Sequence, residues 1–215
     1  MPIKPKRISF TPHAPDADGI CAAQQAAGAG ALTLNGANVS GGTASFAASG
    51  DYPRVGYQVG LASTANLSGV DFTIVGTDPN GVALSETIAG PNNNTVETTG
   101  YFKTVTSVTV SGAVGTNVTV GTVDEFATAT LPLDLYTSIT AVSVDISGTI
   151  DYSVQKCYER PTAGETPNWV AGGLTTQTAD GAASYTSPTG GVRIIGNSFT
   201  ASATISMNVA QSREF

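Results

Sequence analysis

From Leu32 onward one pattern recurs: short runs of alternating apolar and polar residues, interrupted by turn residues every ~8–12 positions. Residues 71 to 91, DFTIVGTDPNGVALSETIAGP, show it most plainly. Phe72 and Ile74 share one parity before Asp78-Pro79-Asn80-Gly81, and Leu84, Glu86 and Ile88 share one after it. A side-chain period of two belongs to a strand, so this stretch predicts a β-hairpin. Pro79 presets φ, Asn80 tolerates the next turn position and Gly81 accepts φ > 0, which predicts a type I turn with a G1 bulge. Similar sets are Val55, Tyr57, Val59 and Leu61; Val108 and Val110; Val118 and Val120; Val142, Val144 and Ile146; Tyr152 and Val154; and Ile205, Met207 and Val209. The expected fold is therefore all-β: one or two antiparallel β-sandwich or jelly-roll-like modules, preceded by an extended N-terminal arm.

The arm is read from Pro2, Pro5, Pro12 and Pro15, which block helix and favour extended backbone. Ile3, Ile8 and Phe10 are apolar and poorly suited to open solvent, while Lys4, Lys6 and Arg7 form a cationic cluster. These six residues are the expected partner contacts of an arm that docks on a neighbouring subunit. The segment ICAAQQAAGAGA, 20–31, predicts a turn or two of helix ended by Gly28 and Gly30. The alternation breaks around DEFATATLPLD, which suggests a boundary. The expected organisation is an arm with a short helical turn at 1–25, one β-sandwich module at 26–126 and a second at 127–215.

Composition bounds the function. Only 12% of the 215 residues are charged, so Thr, Ser, Asn and Gln must supply most of the polar surface. The formal net charge of −7 opposes binding to the phosphate backbone, so no direct nucleic-acid partner is expected. No run of 18 apolar residues exists and the start has no secretory h-region, so the sequence suggests no membrane partner and synthesis in a cytoplasm.

Reactive chemistry is sparse. His13 is the only histidine and lies in the Pro-rich arm, away from any scaffold that could hold it against a nucleophile. Two distant cysteines, Cys21 and Cys157, fall short of a zinc set and read either as free thiols or as one long-range disulfide. Asp124 and Glu125 are adjacent and would face opposite ways on a strand. Asp78 and Asn80 resemble a fragment of a calcium loop without its bidentate Glu, and turn chemistry explains them better. Sequons at Asn38, Asn66, Asn93 and Asn117 are expected by chance in an Asn/Thr-rich chain. Trp169, the single tryptophan, either covers a core edge or stacks on a sugar or partner, and it joins the candidate partner contacts. No catalytic residue, metal site or cofactor is expected.

Several blocks resemble a module of tailed-bacteriophage virion proteins. They are VDFTIVGTDPNGVALSETIAGP, TVETTGYFKTVTSVTVSG and NVTVGT, then GTIDYSVQKCYERP, TPNW and GGVRIIGNSFTASATISMNVAQ. The resemblance runs from about Ala26 to Gln211 and carries no catalytic residue. It implies a non-enzymatic structural protein of the virion, of the kind that includes head decoration (cement) proteins. The partners so implied are the major capsid protein and further copies of this chain, with a homotrimer suited to three-fold lattice positions. The implied location is the capsid surface, after synthesis in the host bacterial cytoplasm. Alternative readings are a neck, collar or tail component, and a carbohydrate-binding surface module using Trp169. The segment VQKCYERP departs from the resemblance at Lys156, Cys157 and Arg160.

Overall fold

The computed structural model describes residues 5–137, 139–161 and 167–212. The described residues form strands and turns, without a helix. In chain order the strands are β1 (Lys6–Thr11), β2 (Asp16–Ala26), β3 (Gly30–Ala31), β4 (Val39–Ser40), β5 (Thr43–Ser45), β6 (Ser49–Gly50) and β7 (Val55–Ser63). Next come β8 (Asp71–Thr77), β9 (Ala83–Ala89), β10 (Thr95–Glu97), β11 (Thr104–Val110), β12 (Val114–Thr128) and β13 (Leu131–Pro132). The last are β14 (Ile139–Ser147), β15 (Ile150–Cys157), β16 (Val170–Ala171), β17 (Gly181–Tyr185), β18 (Gly191–Phe199) and β19 (Thr204–Ser212). All the registered strand pairs are antiparallel, in sandwich-like sheets, so the all-β expectation holds.

The chain divides into two compact units, and neither is a continuous stretch of sequence. Unit 1 is Met1–Ala14, Ala48–Val55 and Glu125–Phe215; unit 2 is Pro15–Ala47 and Gly56–Asp124. The expected divisions at 25/26 and 126/127 were linear, and the units are not. The expected pattern break after Asp124 is also strand, because β12 continues to Thr128 with Phe126 opposite Gly196 and Ala127 opposite Ile195.

In unit 2, one sheet has the order β4-β5-β11-β8-β9, with β3 on β11, and the other is built from β10, β7, β12 and β2. Phe72, Ile74, Val105 and Val108 are fully buried in the first, and Tyr57, Val59, Leu61, Val118 and Val120 in the second. The DPNG hairpin forms as its residues predict. The Gly81 N–H donates to the Asp78 carbonyl (3.0 Å) and the Asp78 N–H donates to the Val82 carbonyl (2.8 Å). The Asp78 carboxylate also accepts the Val82 N–H at 2.8 Å. Gly81 sits at φ 86°, where any Cβ would be strained.

The helix expected at 20–31 is absent. Asp16–Ala26 is β2, paired with β12, and Ile20 and Cys21 are fully buried. A two-turn helix is marginal in water, whereas pairing with β12 satisfies the backbone and buries both side chains, so tertiary pairing overrides the Ala/Gln propensity.

The extended arm is likewise corrected for residues 6–11. They form β1, set between β19 and β6 in the five-stranded sheet β17-β14-β19-β1-β6 of unit 1. Ile8 and Phe10, at strand spacing, are each only 2% exposed. Pro5, Pro12 and Pro15 lie outside this strand, where they remove no ladder hydrogen bond. Ile3 and Lys4 lie outside the described residues. The second sheet of unit 1 joins the end of β12 to β18, β15 and β16, with β13 on β18. Phe10 meets Phe126 edge-on at 5.5 Å, and Phe126 meets Phe199 at 5.5 Å. The Phe126 ring occupies the space where a Cβ on Gly196 would project, so glycine is required there.

Both cysteines are free thiols, each buried in its own unit. Burial pushes the Cys21 thiol up to about 12 from 9.0. Burial, then the Glu159 charge, pushes Cys157 up to about 11 from 9.0, against a lowering by Arg193.

Two outcomes are expected. Phe10→Ala costs about 3–5 kcal/mol of unit 1 stability by urea denaturation, because it empties the centre of an aromatic cluster; a cost below about 1 kcal/mol contradicts the placement of β1. A raised native thiol pKa means that the unfolded chain loses protons first as pH rises. The cysteine contribution is therefore fully present below pH 9.0 and is lost as pH rises towards 11 to 12. The urea midpoint should fall over that window, and Cys21→Ala should reduce the slope.

Candidate functional site

The second sheet of unit 1 presents a polar outer row that carries Arg193 and is covered by Trp169. In β15, Asp151, Ser153 and Gln155 recur at period two, and β18 places Arg193 opposite Gln155. Asn197 donates through Nδ2 to Asp151 Oδ1 at 2.7 Å, and Arg193 donates through Nε to Gln155 Oε1 at 2.8 Å. Trp169 reaches this row because the next two residues form β16, which pairs with Gln155 and Lys156. The Arg193 guanidinium then lies 4.4 Å from the centre of the indole ring. Trp169 is half-buried, so it covers the sheet with one face of its ring already against a cation.

Lys156 alternates with Gln155 along β15 and so points to the other side. Its Nζ lies 4.5 Å from the Tyr185 ring centre and 5.0 Å from that of Tyr158. The Tyr185 hydroxyl donates to the Gly172 carbonyl at 2.6 Å, and burial pushes its phenol up to about 12. Tyr158 is 52% exposed. This edge thus offers positive charge and aromatic area together, in an arrangement that grips apolar or anionic groups. Among the described residues it holds no paired acid and base of the kind hydrolytic chemistry needs. Among the described residues no group of three His, Cys, Asp or Glu is placed to hold a metal ion.

The residues singled out from the sequence scatter. Ile8 and Phe10 are core, and Lys6 and Arg7 are exposed on β1. Trp169 lies in a different part of the fold, beside β16. Sequence reasoning missed Lys156, Tyr158, Tyr185 and Arg193 as a set. Alternation could have placed Lys156 and Arg193 on their strands, but only strand pairing puts Arg193 over Trp169.

No model of a known protein family matches the chain, and no curated protein matches it. A comparison with solved structures finds the major capsid protein P2 from bacteriophage PM2, aligned over 98% of each chain at 7% identity with a TM-score of 0.23. A likeness that loose carries no argument about function.

Arg193→Ala should expose the indole. Its emission should shift to the red, acrylamide quenching should rise, and stability should drop by about 0.5–2 kcal/mol. An unchanged spectrum means that the stacked geometry is absent.

Proposed function

We propose that this protein is a non-enzymatic structural component of a tailed-phage virion, and within that class a head decoration protein that binds the outer capsid surface. The observation that carries the reading is the module resemblance. Its blocks coincide with structural pieces: the β8–β9 hairpin, β11, the middle of β12, and the β15, β18 and β19 strands of unit 1. The all-β sheets also suit a protein whose task is to present surfaces rather than to turn over a substrate.

The proposed partners are the major capsid protein and other copies of this chain, arranged as a homotrimer at three-fold positions. Nucleic acid and membrane have no part in the reading. The mechanism is mass action. A protein that binds only the assembled shell stabilises it by RT ln(1 + [L]/Kd), about 2.7 kcal/mol at a hundredfold excess over Kd. Contacts to two neighbouring capsomers add avidity, since the second is effectively intramolecular. Residues 6–11 are not an arm that reaches across to a neighbour, because they form β1; Lys6 and Arg7 remain exposed on that strand. Bridging falls instead to sheet faces and to the cation-bearing surfaces of unit 1.

The experiment combines native mass with co-sedimentation on purified capsids. A trimer that pellets with capsids and reaches hundreds of copies per particle supports decoration. A dozen copies or fewer moves the protein to the neck or tail, and a monomer that ignores capsids overturns the reading.

A further inference from the structure

Unit 1 holds a second surface that shares no lining residue with the Trp169 row. Lys6 of β1, Pro132 of β13, the turn residues Leu133 to Tyr136, and Arg160 and Pro161 line a cleft of about 520 Å³. Its walls come from remote parts of the sequence and are tied to each other through the backbone. The Leu133 N–H donates to the Gly190 carbonyl (2.8 Å), and the Gly190 N–H donates to the Cys157 carbonyl (2.8 Å). The Lys6 ammonium donates to the Pro132 carbonyl.

The turn that forms one wall is fixed from beneath. Gln211, only 9% exposed, accepts the Asp134 N–H at 3.0 Å through Oε1. Its Nε2 donates to the Asp134 carbonyl (3.0 Å) and to Thr137 Oγ1 (2.8 Å). The Asp134 carboxylate accepts the Tyr136 N–H at 3.0 Å. The result is a backbone-anchored tyrosine whose own surface is 85% exposed. A large aromatic held out by a buried polar network is already ordered, so docking on it loses little backbone entropy.

The charges in and around the cleft are unequal in how they are used. The carboxylates already accept backbone donors: Asp134 from Tyr136, and Glu159 from the Asn168 N–H. The cations keep donors in hand. Lys6 commits one of its three N–H groups to Pro132. Arg160 is exposed and makes no hydrogen bond or ion pair among the described residues. The distribution of charge over the chain points the same way. Unit 2 contains a single cation, Lys103, against seven carboxylates, whereas unit 1 holds the other eight Lys and Arg residues against nine. An anionic ligand therefore meets less repulsion on unit 1 than on unit 2. Two cations and the Asp134 carboxylate, flanked by prolines, leucines and a tyrosine, form a small mixed pocket, not a long basic track for phosphates.

We propose that this cleft docks a carboxylate-bearing peptide segment of a partner protein. Lys6 and Arg160 take the carboxylates, and Tyr136, Leu135 and Pro161 cover the adjoining apolar part. The proposal rests on the decoration reading only for where that partner is found.

The test uses the full chain and two dye-labelled peptides, a short oligoglutamate flanked by tyrosine and its oligoglutamine counterpart. The expected result by fluorescence anisotropy is that the glutamate peptide binds, more weakly as salt rises, while the glutamine peptide does not. Arg160→Gln combined with Lys6→Gln should weaken binding on the order of tenfold, and Tyr136→Ala severalfold. Arg193→Gln, on the other surface, should leave it unchanged. Equal binding of both peptides, no effect of the double variant, or an equal loss with Arg193→Gln overturns the proposal. Melting curves identify any variant that fails to fold; Tyr136→Ala, which removes only an exposed ring, then keeps the cleft testable. Peptide binding without capsid binding defeats the decoration reading alone, and capsid binding without peptide binding defeats the cleft alone.

Discussion

Unit 1 depends on one aromatic contact. Phe126 lies edge-on to Phe10 on one side and against Phe199 on the other, and Tyr52 packs on Phe10 with ring centres 6.4 Å apart. Those rings come from β1, the Ala48–Val55 segment, the end of β12 and β18. The Tyr52 hydroxyl adds a bond to the Ala129 carbonyl at 3.1 Å, and the Ala129 N–H donates to the Arg54 carbonyl at 2.7 Å. Four stretches distant in sequence therefore share one buried cluster. Aromatic rings bury more area than any other side chain and gain further from edge-to-face geometry, so such a cluster outweighs local preferences in the segments that meet there.

That contact also decides which surfaces are available. Because Ile8 and Phe10 are committed to the core, β1 is a sheet strand, and Lys6, which shares their parity, sits exposed at its first position. Lys6 there becomes a wall of a cleft instead of part of a loose cationic tail. Gln211 has the same kind of effect at the other end of the chain: a buried side-chain amide near the C-terminus sets the geometry of a turn some 77 residues earlier. The placement of Tyr136 and Lys6 follows from these remote ties, and the stack of Arg193 on Trp169 follows from the pairing of β15 with β16 and β18. Four of the nine Lys and Arg residues, Lys6, Lys156, Arg160 and Arg193, lie where strands from separate regions converge, and the virion reading makes those places the contact surfaces.

Some features could be read directly because they are local. The DPNG hairpin depends on the φ preferences of Pro79, Asn80 and Gly81 and on alternation within β8 and β9, all contained in a stretch of 21 residues. The inward sets of β7, β14 and β19 are local in the same sense. The helix reading of 20–31 failed for the converse reason. Ala and Gln favour helix only weakly, and β12, about a hundred residues away, decides the outcome by pairing. The arm reading gave the prolines more weight than Ile8 and Phe10, although the period-two spacing of those two residues was the better signal.

By itself, then, the sequence determined an all-β chain, its hairpins, the buried parity of most strands and an acidic, thinly charged surface. Each of these follows from backbone geometry or composition over a few residues. Only the tertiary structure decided that the first and the Ala48–Val55 segments belong with the C-terminal half, and that Lys6 shares a cleft with Arg160 and Tyr136. Strand pairing and aromatic packing join residues by complementarity at long range, and an alternation pattern specifies which face of a strand is buried but not which strand it meets.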